Sequence, residues 1–168
     1  MPTTTTPAEE HQARWKEIVQ DPSLRDLPYK VETNSRGQIV LSPHKNRHSL
    51  QQKAVQKKLD ELLSGGEAFQ EWAIATEEGT KQADVIWASS GRLQDMKETG
   101  DPTTLAPEVC VEIMSDTNDW AEMEEKRRLY REAGAAEVWV VGEDGEVHFF
   151  RDEEVGQSEI VPAFPDEL

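Results

Sequence analysis

Two carboxylates lie within short apolar segments that otherwise look like buried strands. Asp84 interrupts residues 83–87 (ADVIW), and Glu112 interrupts residues 109–113 (VCVEI). A charged group in such surroundings is costly unless it is paired, protonated or bound to a cation. Two acids on successive strands can lie side by side, where their mutual repulsion favours a shared divalent cation. Oxygen ligands suit Mg²⁺ or Mn²⁺, and no Cys/His spacing indicates zinc. The alternative is that one or both side chains point off the sheet edge into water.

Lys126 is a third charged residue in an apolar pattern. It lies on the apolar stripe of a predicted helix, three residues before Leu129. Its ammonium could reach across the sheet to the two carboxylates and there hold an attacking water or neutralise a phosphate. Asp84, Glu112 and Lys126 are therefore the predicted catalytic residues, with the two acids as metal ligands. Alternatively, Lys126 extends into solvent or pairs with Glu122, four residues earlier.

Three further polar residues are weaker candidates. His48 opens another predicted helix, where free N–H groups and positive potential favour an anion. It could bind phosphate there, or it could cap the helix and remain solvated. Ser115 follows the strand of Glu112 and could cap the next helix or place a water. Glu32, on the first predicted strand pair, is a candidate for an accessory acid.

The charge of the chain is distributed unevenly. The net charge is −16, but residues 1–60 carry a net +3 and residues 61–168 a net −19. Residues 44–58 contain five basic and no acidic side chains, and the candidates for nucleic-acid contact in this segment are Lys45, Arg47, His48 and Lys53. Because phosphate contacts need cations, any bound nucleic acid should lie along this local basic patch. The alternative is an ordinary solvated helix face.

The size and composition indicate one domain of an α/β protein without a membrane segment. The chain has 168 residues, 36% of them hydrophobic, which is enough for a single core. No apolar run is long enough to span a bilayer, and residues 1–10 do not resemble a signal peptide. The single cysteine, Cys110, excludes an intramolecular disulfide. These features favour a cytoplasmic protein.

Periodicity and turn residues position the candidate residues on regular elements. A short N-terminal helix (9–20) and a hairpin (29–33 and 38–42) precede a core of helix, three strands, helix and strand, closed by a final hairpin strand. The core elements are predicted at 47–63, 68–75, 82–88, 108–114, 116–133 and 137–141, with the last hairpin strand at 147–151. This order predicts a mixed sheet with helices packed on it. We expect an extension at 1–28, the domain at 29–151 and an acidic tail at 152–168 that frays.

Several short motifs follow one another along the chain: Leu41-Ser42-Pro43 with Arg47-His48, Lys81 to Val85, Ala106 to Ser115, and Glu125-Lys126-Arg127 with Tyr130 through Trp139. In this order they resemble the Uma-type restriction endonuclease family of the PD-(D/E)XK nuclease superfamily. The resemblance, which covers residues 32–150, implies a restriction-endonuclease-like core. It also implies a metal-binding acid pair at Asp84 and Glu112. The superfamily lysine two residues after the second acid is Met114 here, and the family pattern takes a lysine from the next helix, matching Lys126.

Together these observations predict a Mg²⁺-dependent (or Mn²⁺-dependent) endonuclease that hydrolyses phosphodiester bonds, with DNA a better expectation than RNA. A homodimer would supply one active site for each strand of a duplex. The rival hypothesis is an inactive binding or regulatory module on the same fold that acts through a protein partner. The −19 charge of residues 61–168 favours that rival.

Overall fold

The computed structural model describes residues 4–43 and 45–168, so the predicted basic segment is described from Lys45 onward. The helices are α1 (Pro7–Val19), α2 (Asn46–Leu62), α3 (Ser90–Glu98) and α4 (Trp120–Glu132), and a 3-10 turn occupies Pro22–Leu24. The strands are β1 (Tyr29–Thr33), β2 (Ile39–Pro43), β3 (Gly66–Thr76), β4 (Gly79–Ser89), β5 (Val109–Ile113), β6 (Glu137–Val141), β7 (Val147–Phe150) and β8 (Glu154–Val155). No helix in these ranges is long and apolar enough to cross a membrane.

A mixed sheet of six strands forms the centre of the molecule, in the order β3-β4-β5-β6-β7-β8. Strands β5 and β6 are parallel, and α4 provides the crossover that a parallel pair requires. All other neighbouring strands are antiparallel. The predicted α/β class and the predicted mixed sheet are therefore confirmed.

The two faces of the sheet pack against different helices. Side chains on one face meet α2 in a cluster that includes Val55, Leu59, Val85, Val111 and Trp139. Side chains on the other face meet α3 and α4 in a cluster that includes Ile86, Met96, Cys110, Tyr130 and Val138. Because side chains alternate along a strand, the carboxylate of Glu112 falls on the α4 face, as Cys110 does.

The β1–β2 hairpin forms a separate sheet that lies against one half of β4. Strand β5 pairs with β4 only between Val85 and Trp87, which leaves the preceding half of that edge of β4 free. Side chains of β1 fill the gap. Thr33 Oγ1 accepts a hydrogen bond from the Thr80 backbone N–H (2.8 Å), and Glu32 Oε2 accepts one from the Gln82 N–H (2.7 Å). The hairpin thereby covers the end of β4 that leads to Asp84.

Two local predictions are wrong. The C-terminal segment does not fray, because residues 154–155 form β8 beside β7 and the side chains of Val161 and Phe164 are buried against Trp139. The helix predicted from residue 116 begins only at Trp120, since the side chain of Asp119 accepts the capping hydrogen bond from the Glu122 N–H. The first error concerns long-range packing, and the second concerns which of several neighbouring polar residues caps the helix.

Candidate active site

Asp84 and Glu112 lie side by side where β4 and β5 begin to separate. The β4–β5 pairing ends at Val85 and Val111, one residue before the two acids would pair. Beyond that point Asp84 Oδ2 accepts a hydrogen bond from the Ile113 backbone N–H at 2.7 Å. Asp84 is 1% exposed and Glu112 2% exposed, so the expectation that either points off the sheet edge into water is wrong.

The backbone of Asp84 also lacks a pairing partner on the other neighbouring strand, β3. Pairing of β3 with β4 is continuous except at Glu71, the residue opposite Asp84. Glu71 has a φ of 53°, a left-handed backbone conformation that residues other than glycine rarely adopt. The freed carbonyl of Asp84 accepts a hydrogen bond from Gln52 Nε2 of α2 at 2.8 Å instead. Asp84 thus lies at a break in both strand pairings, which is a typical feature of functional positions.

Lys30, which the sequence reasoning missed, lies between the two acids. Its Nζ is 3.1 Å from Asp84 Oδ1, 3.1 Å from Glu112 Oε2 and 3.8 Å from Glu32 Oε2. The side chain is 9% exposed. A signal was present in the sequence, because Lys30 and Glu32 alternate on β1 and must share one face of it. Only the contact of β1 with β4 makes that face a buried one.

Lys126 completes the charged cluster. Its Nζ is 3.0 Å from Glu32 Oε1 and 3.5 Å from Glu112 Oε2, and its side chain is 12% exposed. The alternative partner Glu122 instead accepts a hydrogen bond from Asn118, so the expected Lys126–Glu122 pair is wrong. The structure therefore brings Lys126 to Glu112 and to the accessory acid Glu32, whereas Lys30 is the lysine that contacts Asp84.

Two further side chains contact the carboxylates of the acid pair. His48 Nε2 lies 3.1 Å from Asp84 Oδ1, and the Tyr130 hydroxyl donates to Glu112 Oε1 at 2.6 Å. His48 is 5% exposed, so the expected solvated cap is wrong, and the N-cap position of α2 belongs to Lys45. Tyr130 belongs to one of the sequence motifs that resemble the family, and the sequence predicts no contact for it. Both contacts fix the rotamers of the carboxylates.

The charged groups shift one another's pKa values. Burial alone would raise the pKa of Asp84, but the Lys30 ammonium and the contact with His48 hold it far below its usual range. Burial likewise opposes the charged form of Glu32, yet the neighbouring lysines lower its pKa. For Glu112 burial prevails over both lysines, and its pKa is raised. Burial would lower the pKa of Lys30, but the surrounding carboxylates raise it well above its ordinary value.

The other predicted site residues lie around this cluster at different distances. Ser115 does not cap α4; its hydroxyl donates to Asn118 Oδ1 at 2.9 Å, in the loop before the helix. In the basic patch, Lys45 and Arg47 form ion pairs with Asp116. Lys53 lies on the exposed side of α2, away from the buried side that carries His48. The patch is thus partly neutralised by acids, and Lys53 does not face the acid pair.

Two neighbouring cavities with shared lining residues lie beside the cluster. The inner one has a volume of about 10 Å³, roughly the space of one water, and is lined by Lys30, His48, Asp84 and Ser115 among others. The outer one is a groove of about 410 Å³ between β2 and the start of α4. Both are lined by Ser42, Pro43, Asn118 and Lys126. The hairpin residues Ser42 and Pro43 therefore lie between the groove and the acids.

The donor set of the acid pair fits a hard divalent cation. Within residues 4–43 and 45–168, no group of three or more His, Cys, Asp or Glu side chains could hold a metal ion. The pair supplies two oxygens instead, Asp84 Oδ1 and Glu112 Oε2, which already share one cationic neighbour in the Lys30 ammonium. Mg²⁺ is commonly held by one or two carboxylates, with water and substrate phosphates completing its shell. The acids fit such an ion once Lys30 has moved.

Comparison with known proteins assigns the chain to a family. The family model Uma2, described as "Putative restriction endonuclease", matches residues 15–168. The chain belongs to the Uma2 family. One similar solved structure is described as a putative nuclease belonging to DUF820 from Anabaena variabilis. It is 17% identical, covers 74% of each chain and has a TM-score of 0.63. No curated protein matches the sequence.

The Uma2 assignment confirms the resemblance seen in the sequence motifs. The similarity to the Anabaena variabilis structure independently shows the nuclease fold, which the mixed sheet and its helices had indicated. Families of the restriction-endonuclease type are generally metal-dependent. Uma2 membership therefore supports a nuclease of this fold.

Proposed function

We propose that this Uma2 protein is a metal-dependent endonuclease that hydrolyses phosphodiester bonds at Asp84 and Glu112. The observation that carries the proposal is that one oxygen of each acid lies 3.1 Å from the same cationic group, the Lys30 ammonium. Two buried carboxylates of this kind are costly unless a cation binds between them. Membership of a restriction endonuclease family supports the same reading.

In this proposal the residues of the cluster have three roles: metal binding, orientation of the acids and stabilisation of phosphate charge. Asp84 and Glu112 would hold Mg²⁺ or Mn²⁺, which supplies a water of lowered pKa and stabilises charge on the phosphate. His48 and the Ile113 N–H orient Asp84, and Tyr130 orients Glu112. The Lys126 ammonium lies beside Glu112 at 3.5 Å, where it can offset negative charge on a phosphate.

The substrate we propose is nucleic acid, with DNA favoured over RNA. The outer groove between β2 and α4 ends at Lys126 and gives a backbone a path towards the acid pair. The N-terminal end of α2, with Lys45 and Arg47, carries basic groups for additional phosphate contacts. Cleavage of both strands of a duplex would require two chains, and we propose a homodimer for that purpose.

Cleavage assays with a matched pair of variants test this function. Supercoiled DNA, single-stranded DNA and RNA would be incubated with the wild-type chain and Mg²⁺ or Mn²⁺, and with a chelator as the blank. Asp84→Asn should lower metal-dependent cleavage at least about 100-fold, because it removes a metal ligand. Asp95→Asn makes the same chemical change on the exposed face of α3 and should leave cleavage unchanged. Undiminished cleavage by Asp84→Asn would overturn the proposal.

A second candidate function is a non-catalytic binding module, and one observation favours it. Asp84 and Glu112 are 1% and 2% exposed, and the inner cavity has room for about one water. An ion-pair cluster of this kind can serve structure alone. This candidate predicts no cleavage of any nucleic acid with either metal. It also predicts that Asp84→Asn lowers stability while leaving the binding of a protein partner intact.

A further inference from the structure

The position of Lys30 is unusual for a lysine that only stabilises the fold. Its ammonium contacts both members of the acid pair at 3.1 Å, on the oxygens that a bridging cation would also use. Lys126 differs, because it contacts Glu112 and Glu32 and not Asp84. Lys30 is therefore the side chain whose cationic group lies between the two acids, where they would hold a divalent ion.

The charges of the cluster require a cation at this position. Three buried acids, Glu32, Asp84 and Glu112, face two ammonium groups, Lys30 and Lys126, so the acids outnumber the lysines by one. If Lys30 were withdrawn without replacement, three acids would share one lysine in a site of low exposure. Such an arrangement is strongly unfavourable. A divalent ion entering between Asp84 and Glu112 would supply two positive charges in place of the one lost with Lys30, and it would at the same time repel the ammonium.

Lys30 is carried by an element that can move without disrupting the main sheet. Strand β1 pairs only with β2, in a hairpin separate from the six-stranded sheet. The hydrogen bonds from the β4 backbone to β1 end on side chains, Thr33 Oγ1 and Glu32 Oε2, so the two strands share no continuous ladder. Outward movement of this half of the hairpin would also join the inner cavity to the groove, since Ser42 and Pro43 line both.

We propose that Lys30 is a built-in counter-cation that occupies the metal position, and that divalent metal binds by displacing it together with the β1–β2 hairpin. This inference deepens the proposed function and rests on it, because it takes Asp84 and Glu112 as the metal ligands. Metal binding and opening of the site towards substrate are then one coupled step. The metal-free protein is held closed by its own lysine.

Metal affinity measured by calorimetric titration with Mn²⁺ tests the competition. Lys30→Met removes the ammonium and should tighten the dissociation constant for Mn²⁺ about tenfold or more. Lys30→Arg retains a cation and should bind no more tightly than wild type. Lys126→Met removes the other buried ammonium and should give a smaller gain. Lys53→Met, on the exposed side of α2, should change the constant less than about twofold, as expected for a screened surface charge.

The outcomes separate this inference from the proposed function. If wild type binds Mn²⁺ and Asp84→Asn does not, the metal site stands. If Lys30→Met then binds Mn²⁺ with unchanged affinity, or gains no more affinity than Lys126→Met, the counter-cation role of Lys30 is wrong. The metal site itself would be unaffected by that result. If neither wild type nor Lys30→Met binds Mn²⁺, the metal site fails and the inference fails with it.

Hydrogen exchange of the wild-type protein provides a measurement that needs no folded Lys30 variant. At saturating Mg²⁺, backbone amides of the β1–β2 hairpin should exchange faster than in the metal-free protein, because the anchoring contact of Lys30 is lost. Amides of the parallel pair β5–β6 should be unchanged or slower. Slower exchange in the hairpin on metal binding would show that Lys30 stays in place and would overturn the proposal.

Discussion

The two acids of the candidate site share one ammonium neighbour, yet their pKa values shift in opposite directions. For Asp84, Lys30 and His48 outweigh burial, and the pKa is lowered. For Glu112, burial outweighs the lysines, and its pKa is raised. The Ile113 N–H and the His48 contact favour the charged form of Asp84, whereas Glu112 also faces two other carboxylates. The metal-free pair therefore titrates as a coupled unit in which Asp84 ionises first.

This difference predicts opposite pH dependences for two isosteric variants, measured by urea unfolding in the presence of a chelator. The lowered pKa of Asp84 means that its charge stabilises the fold above its ordinary value of 3.8, and this contribution is lost as the pH falls. Asp84→Asn should therefore be less stable than wild type by about 3–5 kcal/mol at neutral pH, and the gap should narrow in acid.

Glu112→Gln should behave in the opposite way. A carboxyl whose pKa is raised on folding stabilises the folded state while it is protonated, and that contribution is lost as the pH rises above its ordinary value of 4.5. The stability of Glu112→Gln relative to wild type should therefore improve with increasing pH. If both variants lose stability relative to wild type with the same pH profile, the assigned directions are wrong.

Most residues of the cluster could be predicted from the sequence, because charge in an apolar pattern is visible locally. Asp84, Glu112 and Lys126 are each flanked by residues that pack into the core. Lys30 could not be predicted in the same way, since residues 29–33 (YKVET) are not a continuous apolar run in which a charge would stand out. Its burial arises from contact with β4, some 50 residues later in the chain. Pairing partners at that distance are not encoded in local spacing.

At the scale of secondary structure, the turn between β3 and β4 supports the hairpin that carries Lys30. Gly79, the first residue of β4 after this turn, has a φ of +109° and lies close to the backbone of Thr33 and Asn34. A Cβ at this position would collide with both carbonyl oxygens. Glycine is thus required twice, for its backbone conformation and for the close approach of β1.

Gly79→Ala should lower the free energy of unfolding by more than about 1 kcal/mol, since it adds strain and pushes β1 away from β4. Gly91→Ala is the matched control, because a Cβ there meets nothing within 4 Å and the residue lies in α3. That control should be neutral or stabilising by up to about 1 kcal/mol. Thermal unfolding of the two variants decides the question, and equal melting temperatures would contradict the predicted collision.

The elements themselves were largely predictable, whereas their breaks were not. The amphipathic spacing of α2 and the alternation of β5 are local patterns, and the structure places both within one or two residues of the prediction. The left-handed conformation of Glu71 and the end of the β4–β5 pairing at Val85 have no local signal. The early end of the β4–β5 pairing leaves the edge of β4 that β1 then covers, a long-range arrangement with no counterpart in the local sequence. Those breaks are nevertheless what direct the carboxylate of Asp84 into the site.

At the scale of the whole molecule, the acidic C-terminal segment completes the core. Val161 and Phe164 cover Trp139 and Phe149 at the α2 face of the sheet. A single buried acid, Glu137, anchors the segment. Its carboxylate accepts hydrogen bonds from Ser158 Oγ (2.6 Å), the Glu159 N–H (2.7 Å) and the Trp139 indole (2.8 Å). The buried negative charge of Glu137 on β6 therefore serves to hold the C-terminal segment against the sheet.

Glu137→Gln should release this segment from the core. An amide keeps one acceptor oxygen but presents an N–H₂ group to the remaining donors, so at least one buried donor loses its acceptor. We expect the free energy of unfolding, measured with urea, to fall by about 2 kcal/mol or more. The increase in amide exchange over wild type should be larger at residues 159–161 than elsewhere. Glu153→Gln removes the same charge from an exposed site in the same segment and should stay within about 0.5 kcal/mol of wild type. If the two variants are equally stable, the segment is held by its apolar contacts alone, and the anchoring role of Glu137 is wrong.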